Sequence, residues 1–473
     1  MTTLRSAPGS RSGPTPWPLT PIEELDLYLE SAAEPSLIQL ETLVRGHLDA
    51  AALESALADA LAADPAARRQ LAAASRWRRR LRWETAGDAG RLTVASWRST
   101  DQLAALREWV SAWPIPLRDR TVRLILAVGS EHDIVILQTH HAAFDGISSL
   151  ALLTAIGAAY RERAADAARR GLETIGLETI GPETIGPETI GPQVISLPAP
   201  RSAGPPGTGR AGTGRAGGIP GPLTRICVRL PGVVTRIAAR AASPDRPGYG
   251  SVHRSIPVPR PERQGSGPFP TVNDLLVAAL IATVDRWNAA QGARSERIRI
   301  SVPVNSRDRR DRWAGPGNQT RLIRVTANSA ERADPARLLA QVAAQTRAGK
   351  QRRSAGLDAT SRLLATGWAP TAVKRTAARL ARRVAGPVCT DTALLSNLGV
   401  PPEPPSFSGS GTEPIWFSGP AQMPRGLGVG AVTTAGRLHL CVHYRHALLD
   451  RSAAADFTAL YCRTLGEMAG RPA

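Results

Sequence analysis

Two adjacent histidines followed by an Asp-Gly pair, in the run His140-His141-Ala142-Ala143-Phe144-Asp145-Gly146, are the residues of this chain best suited to acid-base chemistry. An imidazole has an unperturbed pKa of about 6.5 and so exchanges a proton near neutrality. One such ring is enough for a general base. Asp145 suits another task, since a carboxylate paired with a distant arginine has its pKa lowered and is better at holding a loop than at abstracting protons. Gly146 permits a close backbone approach or a left-handed turn. Taken singly, each residue has a plainer reading: one buried and one surface histidine at a strand end, then an ordinary Asp-Gly turn.

The elements around the run decide how it is presented. The apolar stretches Thr121 to Val128 and Ile134 to Gln138, separated by Gly129-Ser130-Glu131-His132-Asp133, predict a β-hairpin that ends at the histidines. From Ile147, apolar residues recur at Leu150, Leu153, Ile156 and Tyr160, which predicts a helix. The histidines therefore fall at a strand-to-helix junction, a common place for functional groups.

His-His-x-x-x-Asp-Gly in that setting resembles the active-site motif of the CoA- or carrier-protein-dependent acyltransferase superfamily. Nonribosomal peptide condensation domains, wax ester synthases and chloramphenicol acetyltransferase belong to it. The resemblance implies an α/β (α+β) fold of two chloramphenicol-acetyltransferase-like lobes, each a mixed sheet flanked by helices, meeting in a V with a central tunnel. It implies that His141 is the base that deprotonates a hydroxyl or amine acceptor, that His140 is mainly structural, and that Asp145 and Gly146 shape the loop. An arginine of the second lobe would brace Asp145. Arg307, in Pro303-Val304-Asn305-Ser306-Arg307, is the matching position, with Arg309 and Arg310 crowding the assignment. Thr271-Val272-Asn273-Asp274 reads as a helix cap, and its likeness to a wax ester synthase segment adds a lobe-interface role for Asn273 and Asp274. Ser396 or Asn397, in Leu395-Ser396-Asn397-Leu398-Gly399, would be the candidate donor to a developing oxyanion. The donor would be a CoA or phosphopantetheine thioester, with no bound cofactor, no metal and no acyl-enzyme.

The 473 residues suit two domains of about 200 residues each. Met1 to Trp17, rich in Ser, Gly and Pro, reads as a disordered leader. Order begins near Thr20, where Thr20-Pro21-Ile22-Glu23 forms a capping box. A first lobe spans 18–165, a low-complexity linker 166–222 and a second lobe 223–473. The linker carries Glu-Thr-Ile-Gly copies at a period of five between Gly171 and Pro192, then a Gly/Pro/Arg-dense stretch. Beyond it are expected a strand from Arg225 to Leu230, a helix from Val233 to Ala242, and strands Ile298 to Val304 and Leu322 to Ala327.

Lysine plus arginine number 59 against 40 acids, a formal charge of +19 and a pI near 11.2. Arginine supplies nearly all of it, since only Lys350 and Lys374 are lysines. Together with abundant alanine this is the mark of GC-rich coding, and no zinc-finger or RNA-binding signature accompanies it, so nucleic acid is not the expected partner. Acyl-CoA or an acidic acyl carrier protein, with a small-molecule acceptor, is. Cys227, Cys389, Cys441 and Cys462 lie far apart without a Cys-x-x-Cys pair and read as buried thiols rather than a zinc site or disulfide framework. No apolar run is long enough to span a bilayer, so a soluble cytoplasmic protein is expected. A basic amphipathic helix with Val373, Ala377, Leu380 and Val384 on one stripe allows a peripheral membrane contact, although such a stripe more often packs on its own domain.

The wording His-His-Ala-Ala-Phe-Asp-Gly-Ile-Ser, Tyr160, and the lack of a tryptophan between Pro116 and Val122 lean toward a free-standing condensation-like enzyme. A wax ester synthase or diacylglycerol acyltransferase type of lipid enzyme is the first alternative. A catalytically degenerate module that binds a carrier protein is the second.

Overall fold

The computed structural model describes residues 15–64, 67–75, 77–86, 90–175, 193–194, 234–261, 269–307, 313, 317–351, 367–409 and 413–470. The first lobe runs β1 (Trp17–Pro18), α1 (Pro21–Leu29), β2 (Leu37–Arg45), α2 (Ala50–Ala63), β3 (Arg69–Leu71), β4 (Arg82–Thr85), β5 (Leu92–Ser96), α3 (Thr100–Ala112), β6 (Val122–Val128), β7 (His132–His140), α4 (Gly146–Ile175) and β8 (Gln193–Val194). The second runs β9 (Tyr249–Pro257), α5 (Val272–Ala290), β10 (Arg297–Asn305), β11 (Thr320–Asn328), α6 (Ser329–Arg332), α7 (Pro335–Gln351), α8 (Thr371–Cys389), β12 (Ala393–Asn397), β13 (Ile415–Ser418), β14 (Leu427–Thr434), β15 (Arg437–Arg445) and α9 (Arg451–Met468).

Each lobe is built on a mixed six-stranded sheet, in the order β13-β2-β7-β6-β5-β8 and β11-β10-β12-β14-β15-β9 respectively. β7 lies inside the first sheet, antiparallel to both β2 and β6, with His140 opposite Leu37 at its end. Its residues alternate between two covered faces. Val135 and Leu137 join the large core under α2 and α4, whereas Ile134 and Ile136 pack with Leu103, Leu106 and Val110 of α3. A strand covered on both faces reads as a nearly continuous apolar run, which is how this one looks in the sequence. The second sheet carries the other core, with α5 and α9 against it.

The lobes are joined by more than the chain between them. β13 follows β12 of the second sheet yet pairs antiparallel with β2 of the first, Ile415 opposite Thr42 and Ser418 opposite Gln39. It crosses close over β14, and a Cβ at Gly430 would lie 1.7 Å from the Phe417 carbonyl oxygen, so only glycine fits there.

Several expectations need correction. Trp17, assigned to the leader, pairs with Trp83 in β1–β4. β7 starts at His132, not Ile134, because Asp133 is satisfied inside the strand: its carboxylate accepts from the Gly129 and Leu48 amides and lies 3.1 Å from His47 Nδ1. α4 continues to Ile175 and β8 pairs with β5, so both enter the stretch read as linker. Residues 234–239 are not helical. The Thr235 hydroxyl accepts from the Glu296 and Arg297 amides and the Asn288 side chain bonds both Ala238 N–H and the Arg236 carbonyl, so an extended segment is pinned instead. Cys441 is buried but Cys462 only partly so. The strand expected at 225–230, Cys227, and most of the repeat lie outside the described residues.

The largest surprise is α8. Its packed face is Thr371, Lys374, Ala378, Arg382 and Gly386, and the apolar stripe points outward, with Val373 47 %, Leu380 60 % and Val384 69 % exposed. The polar face wins because it finds partners. Lys374 Nζ donates to the Arg79 carbonyl at 2.8 Å, and Arg382 reaches the Leu29 carbonyl at 2.6 Å and Glu34 at 2.5 Å.

Candidate active site

The candidate site is assembled at the end of β7, where α1 of the first lobe and the β10–β11 turn of the second converge on it. α1 is started by a full capping box: the Glu23 amide donates to the Thr20 hydroxyl, and Glu23 accepts from the Thr20 amide at 2.7 Å. Asp26 within this helix and Glu30 at its C-terminal end lie beside the histidines.

His140 is fully buried. Its Nδ1 accepts from the Ala142 amide at 3.2 Å, which leaves Nε2 as the protonated nitrogen, 3.1 Å from both Glu30 carboxylate oxygens. Glu30 also accepts the Ser36 amide, and Ser36 returns its carbonyl to the His141 amide at 2.8 Å. Burial pushes the Glu30 carboxyl up, but the bond and charge from His140, the Ser36 amide and Arg375 outweigh it and hold it below its ordinary value. His140 is thus a fixed strut under the loop.

His141 is oriented from the opposite side. Its Nδ1 lies 3.2 Å from the Phe144 carbonyl oxygen and 3.4 Å from the Asn318 side-chain nitrogen, which also donates to the His141 carbonyl at 3.2 Å. The nearer contact is an acceptor, which assigns the proton to Nδ1 and the lone pair to Nε2. This is the tautomer a general base requires. Nearby, the Asp26 carboxyl is pushed up by burial, with His141 and His140 drawing it the other way, and its Oδ2 has no hydrogen-bond partner among the described residues.

Asp145 meets Arg307 across the lobe boundary at 2.6 Å, both side chains almost fully buried. Its second oxygen caps α4 by accepting from the Ser148 amide at 2.8 Å, and its first also takes the Gln319 amide at 2.9 Å. Arg307 in turn donates to the Gly317 carbonyl at 2.9 Å. A carboxylate this saturated is a brace between lobes, with no lone pair left for proton abstraction. Gly146 has no left-handed backbone. It is needed because a Cβ would lie 2.6 Å from Leu398 Cδ2 and 3.0 Å from the Phe417 ring.

The other expected residues are placed less centrally. Leu398 brings the end of β12 against Gly146, but Asn397 turns its oxygen to the Gly399 amide at 2.9 Å, and the neighbouring Ser396 is buried. Asp274 is used within its own lobe, closing the capping box of α5 and accepting from Thr346 at 2.5 Å. Asn273 is half-buried beside it. Glu30, Ser36, Asn318 and Gln319 were given no role from the sequence. Asn318 and Gln319 stand just ahead of the expected strand Leu322 to Ala327, a position that by itself marks no function. Among the described residues no group of three or more His, Cys, Asp or Glu could hold a metal ion, and no helix is long and apolar enough to cross a membrane.

Comparison with known proteins fits this geometry. Residues 316–456 match the WS/DGAT C-terminal domain family. Over the whole chain the fold is that of condensation domains. It matches a mutant starter condensation domain of rhizomide synthetase in complex with C8-CoA and Leu-SNAC at a TM-score of 0.55 and 14% identity, covering 96% of this chain and 95% of that one. It also matches the epimerization domain from the third module of tyrocidine synthetase B at a TM-score of 0.56 and 14% identity, covering 98% of each. The chain therefore has the two-lobed α/β fold of condensation domains, with a segment similar to the wax ester synthase and diacylglycerol acyltransferase C-terminal domain. Among curated sequences it is 28% identical over 470 residues to an uncharacterized protein of Mycobacterium tuberculosis strain H37Rv, covering 94% of this chain and 98% of the relative.

Proposed function

We propose that this protein transfers an acyl group from a CoA or carrier-protein thioester to a hydroxyl or amine acceptor, with His141 as the general base. The observation that carries the reading is the setting of His141, whose Nδ1 is engaged by the Phe144 carbonyl at 3.2 Å so that Nε2 is the nitrogen left for substrate. In the step proposed, Nε2 takes the proton of the acceptor as its oxygen or nitrogen attacks the thioester carbonyl. The tetrahedral intermediate collapses with cleavage of the C–S bond, and the imidazolium returns the proton to the departing thiolate. Every proton and electron pair is accounted for without a metal or acyl-enzyme.

A lipid acceptor, as in wax ester or triacylglycerol formation, is the second reading, and the family match over residues 316–456 favours it. The intact Asp145–Arg307 brace speaks against a degenerate module that only binds a carrier. The test is to offer the purified protein acyl-CoA and acyl-carrier thioesters with mixed alcohols and amines and to identify products by mass spectrometry. Product from a carrier-bound donor alone supports the condensation branch, and long-chain acyl-CoA with a fatty alcohol the lipid branch. Carrier binding with no turnover on any pair overturns the enzymatic reading.

A further inference from the structure

α8 is built like an interfacial helix on the outside of the protein. Val373, Ala377, Leu380 and Val384 recur at helical spacing and form one outward apolar stripe, directly opposite the face that packs on α1. No acidic residue occurs in the helix, whereas Arg375, Arg379 and Arg383 are exposed beside the stripe. Arg379 is bonded to the Glu30 carbonyl, a neutral group, so its charge is not cancelled there.

The surface continues past the helix N-terminus. The Thr371 amide donates to the Arg78 carbonyl at 2.8 Å, which fixes the 77–82 segment against α8. That segment adds exposed Arg78, Arg79 and Arg82 and a Trp77 that is 69 % exposed, while Trp368, just before α8, is 51 % exposed. A hollow of about 520 Å³ beside them is lined by Pro16, Arg78, Arg79, Arg80 and Arg82. Tryptophans at the edge of an apolar stripe, with arginines around it, match the chemistry of the boundary between headgroups and acyl chains. An acidic protein partner would satisfy the arginines but would gain little from a stripe of aliphatic side chains and two indoles.

We propose that this face docks the protein on an anionic lipid bilayer, the stripe of α8 entering the acyl boundary and the arginines facing lipid phosphates. The docking is peripheral and salt-sensitive. It does not depend on the acyl-transfer reading, because binding is read without turnover.

The full chain should be sedimented with vesicles of phosphatidylcholine alone and with vesicles containing about one third phosphatidylglycerol. Wild-type protein is expected to pellet with the anionic vesicles and to be released by high salt. Leu380→Glu with Val384→Glu should weaken that binding at least about tenfold, and Arg78→Glu with Arg79→Glu should do so separately. These side chains are exposed, and circular dichroism with thermal melting checks that each variant is folded. Wild-type protein that stays in the supernatant with both vesicles overturns the proposal. So does a folded Leu380→Glu, Val384→Glu variant that pellets like wild type, or one whose only change is loss of a solution dimer, which would make the face a contact between two copies.

Discussion

At the scale of single residues, the site separates two imidazoles that look alike in the sequence. His140 is locked by Glu30 and the Ala142 amide, both of its nitrogens in use. His141 uses only Nδ1 and keeps Nε2. His141→Ala should therefore leave the fold intact and slow transfer by about 10²- to 10⁴-fold, the usual worth of a positioned base. A variant with parent activity on a verified substrate would remove His141 from the mechanism. Glu30→Ala has a different signature, because it leaves the buried Nε2–H of His140 without a partner. It should lower stability by about 1–3 kcal/mol in denaturant melts. Glu30→Gln, which can still accept that hydrogen, should recover most of the loss. The motif and its likeness made the histidines visible in the sequence. Glu30 was not visible, since 110 residues separate it from His140 and no periodicity links them.

At the scale of elements, the brace between α4 and the β10–β11 turn is the joint that turns two lobes into one site. Asp145 and Arg307 are 162 residues apart, and only the family likeness connected them beforehand. Hydrophobic patterning gave β6 and β10 to within a residue at each end and found β7 two residues short at each end. It failed at residues 234–239, where a buried asparagine supplies the hydrogen bonds of an extended segment, and at α8 it left open which face packs inward. In α8 the long basic side chains reach carbonyl groups that no local pattern reveals. Asp145→Ala and Arg307→Ala should each destabilise the protein by about 3–5 kcal/mol, because either leaves an uncompensated buried charge or donor. The double variant should lose much less than the sum, since both remove one interaction. Strict additivity in chemical denaturation would show that the pair does not work as a unit. Gly146→Ala tests the neighbouring contact. With Leu398 and Phe417 in the way, it should cost about 1–3 kcal/mol from overpacking, and Leu398→Ala in the same chain should relieve part of that.

At the scale of the whole molecule, the lobes also meet through a second buried polar cluster remote from the histidine motif. Glu41 of β2 pairs with Arg107 of α3, and His253 Nδ1 of β9 lies 3.6 Å from the same carboxylate, its ring stacked on Trp416 of β13. His443, stacked on Tyr249, lies on the adjacent strand. Burial pushes His253 and His443 each down to about 4; Glu41 opposes this for His253, while Arg107 and Arg254 add to it. Burial likewise pushes the Glu41 carboxyl up, but Arg107 and His253 outweigh it and hold it below its ordinary value. The sign follows directly. Unfolded histidines titrate near 6.5, so between about pH 6.5 and 4 the unfolded chain binds more protons than the folded one, and stability falls as the pH falls through that window. Above it the two rings contribute no pH dependence. A shift of this size corresponds to about 3 kcal/mol per ring at the acid end, and the lowered Glu41 adds to the loss below its ordinary value. The melting temperature should thus be level from about pH 7 to 8 and drop steeply toward pH 4.5. His443→Phe keeps a ring against Tyr249 and removes one titrating group, so its melting temperature should fall less over the same range. An equally steep fall in that variant would remove His443 from the groups that make the protein acid-sensitive.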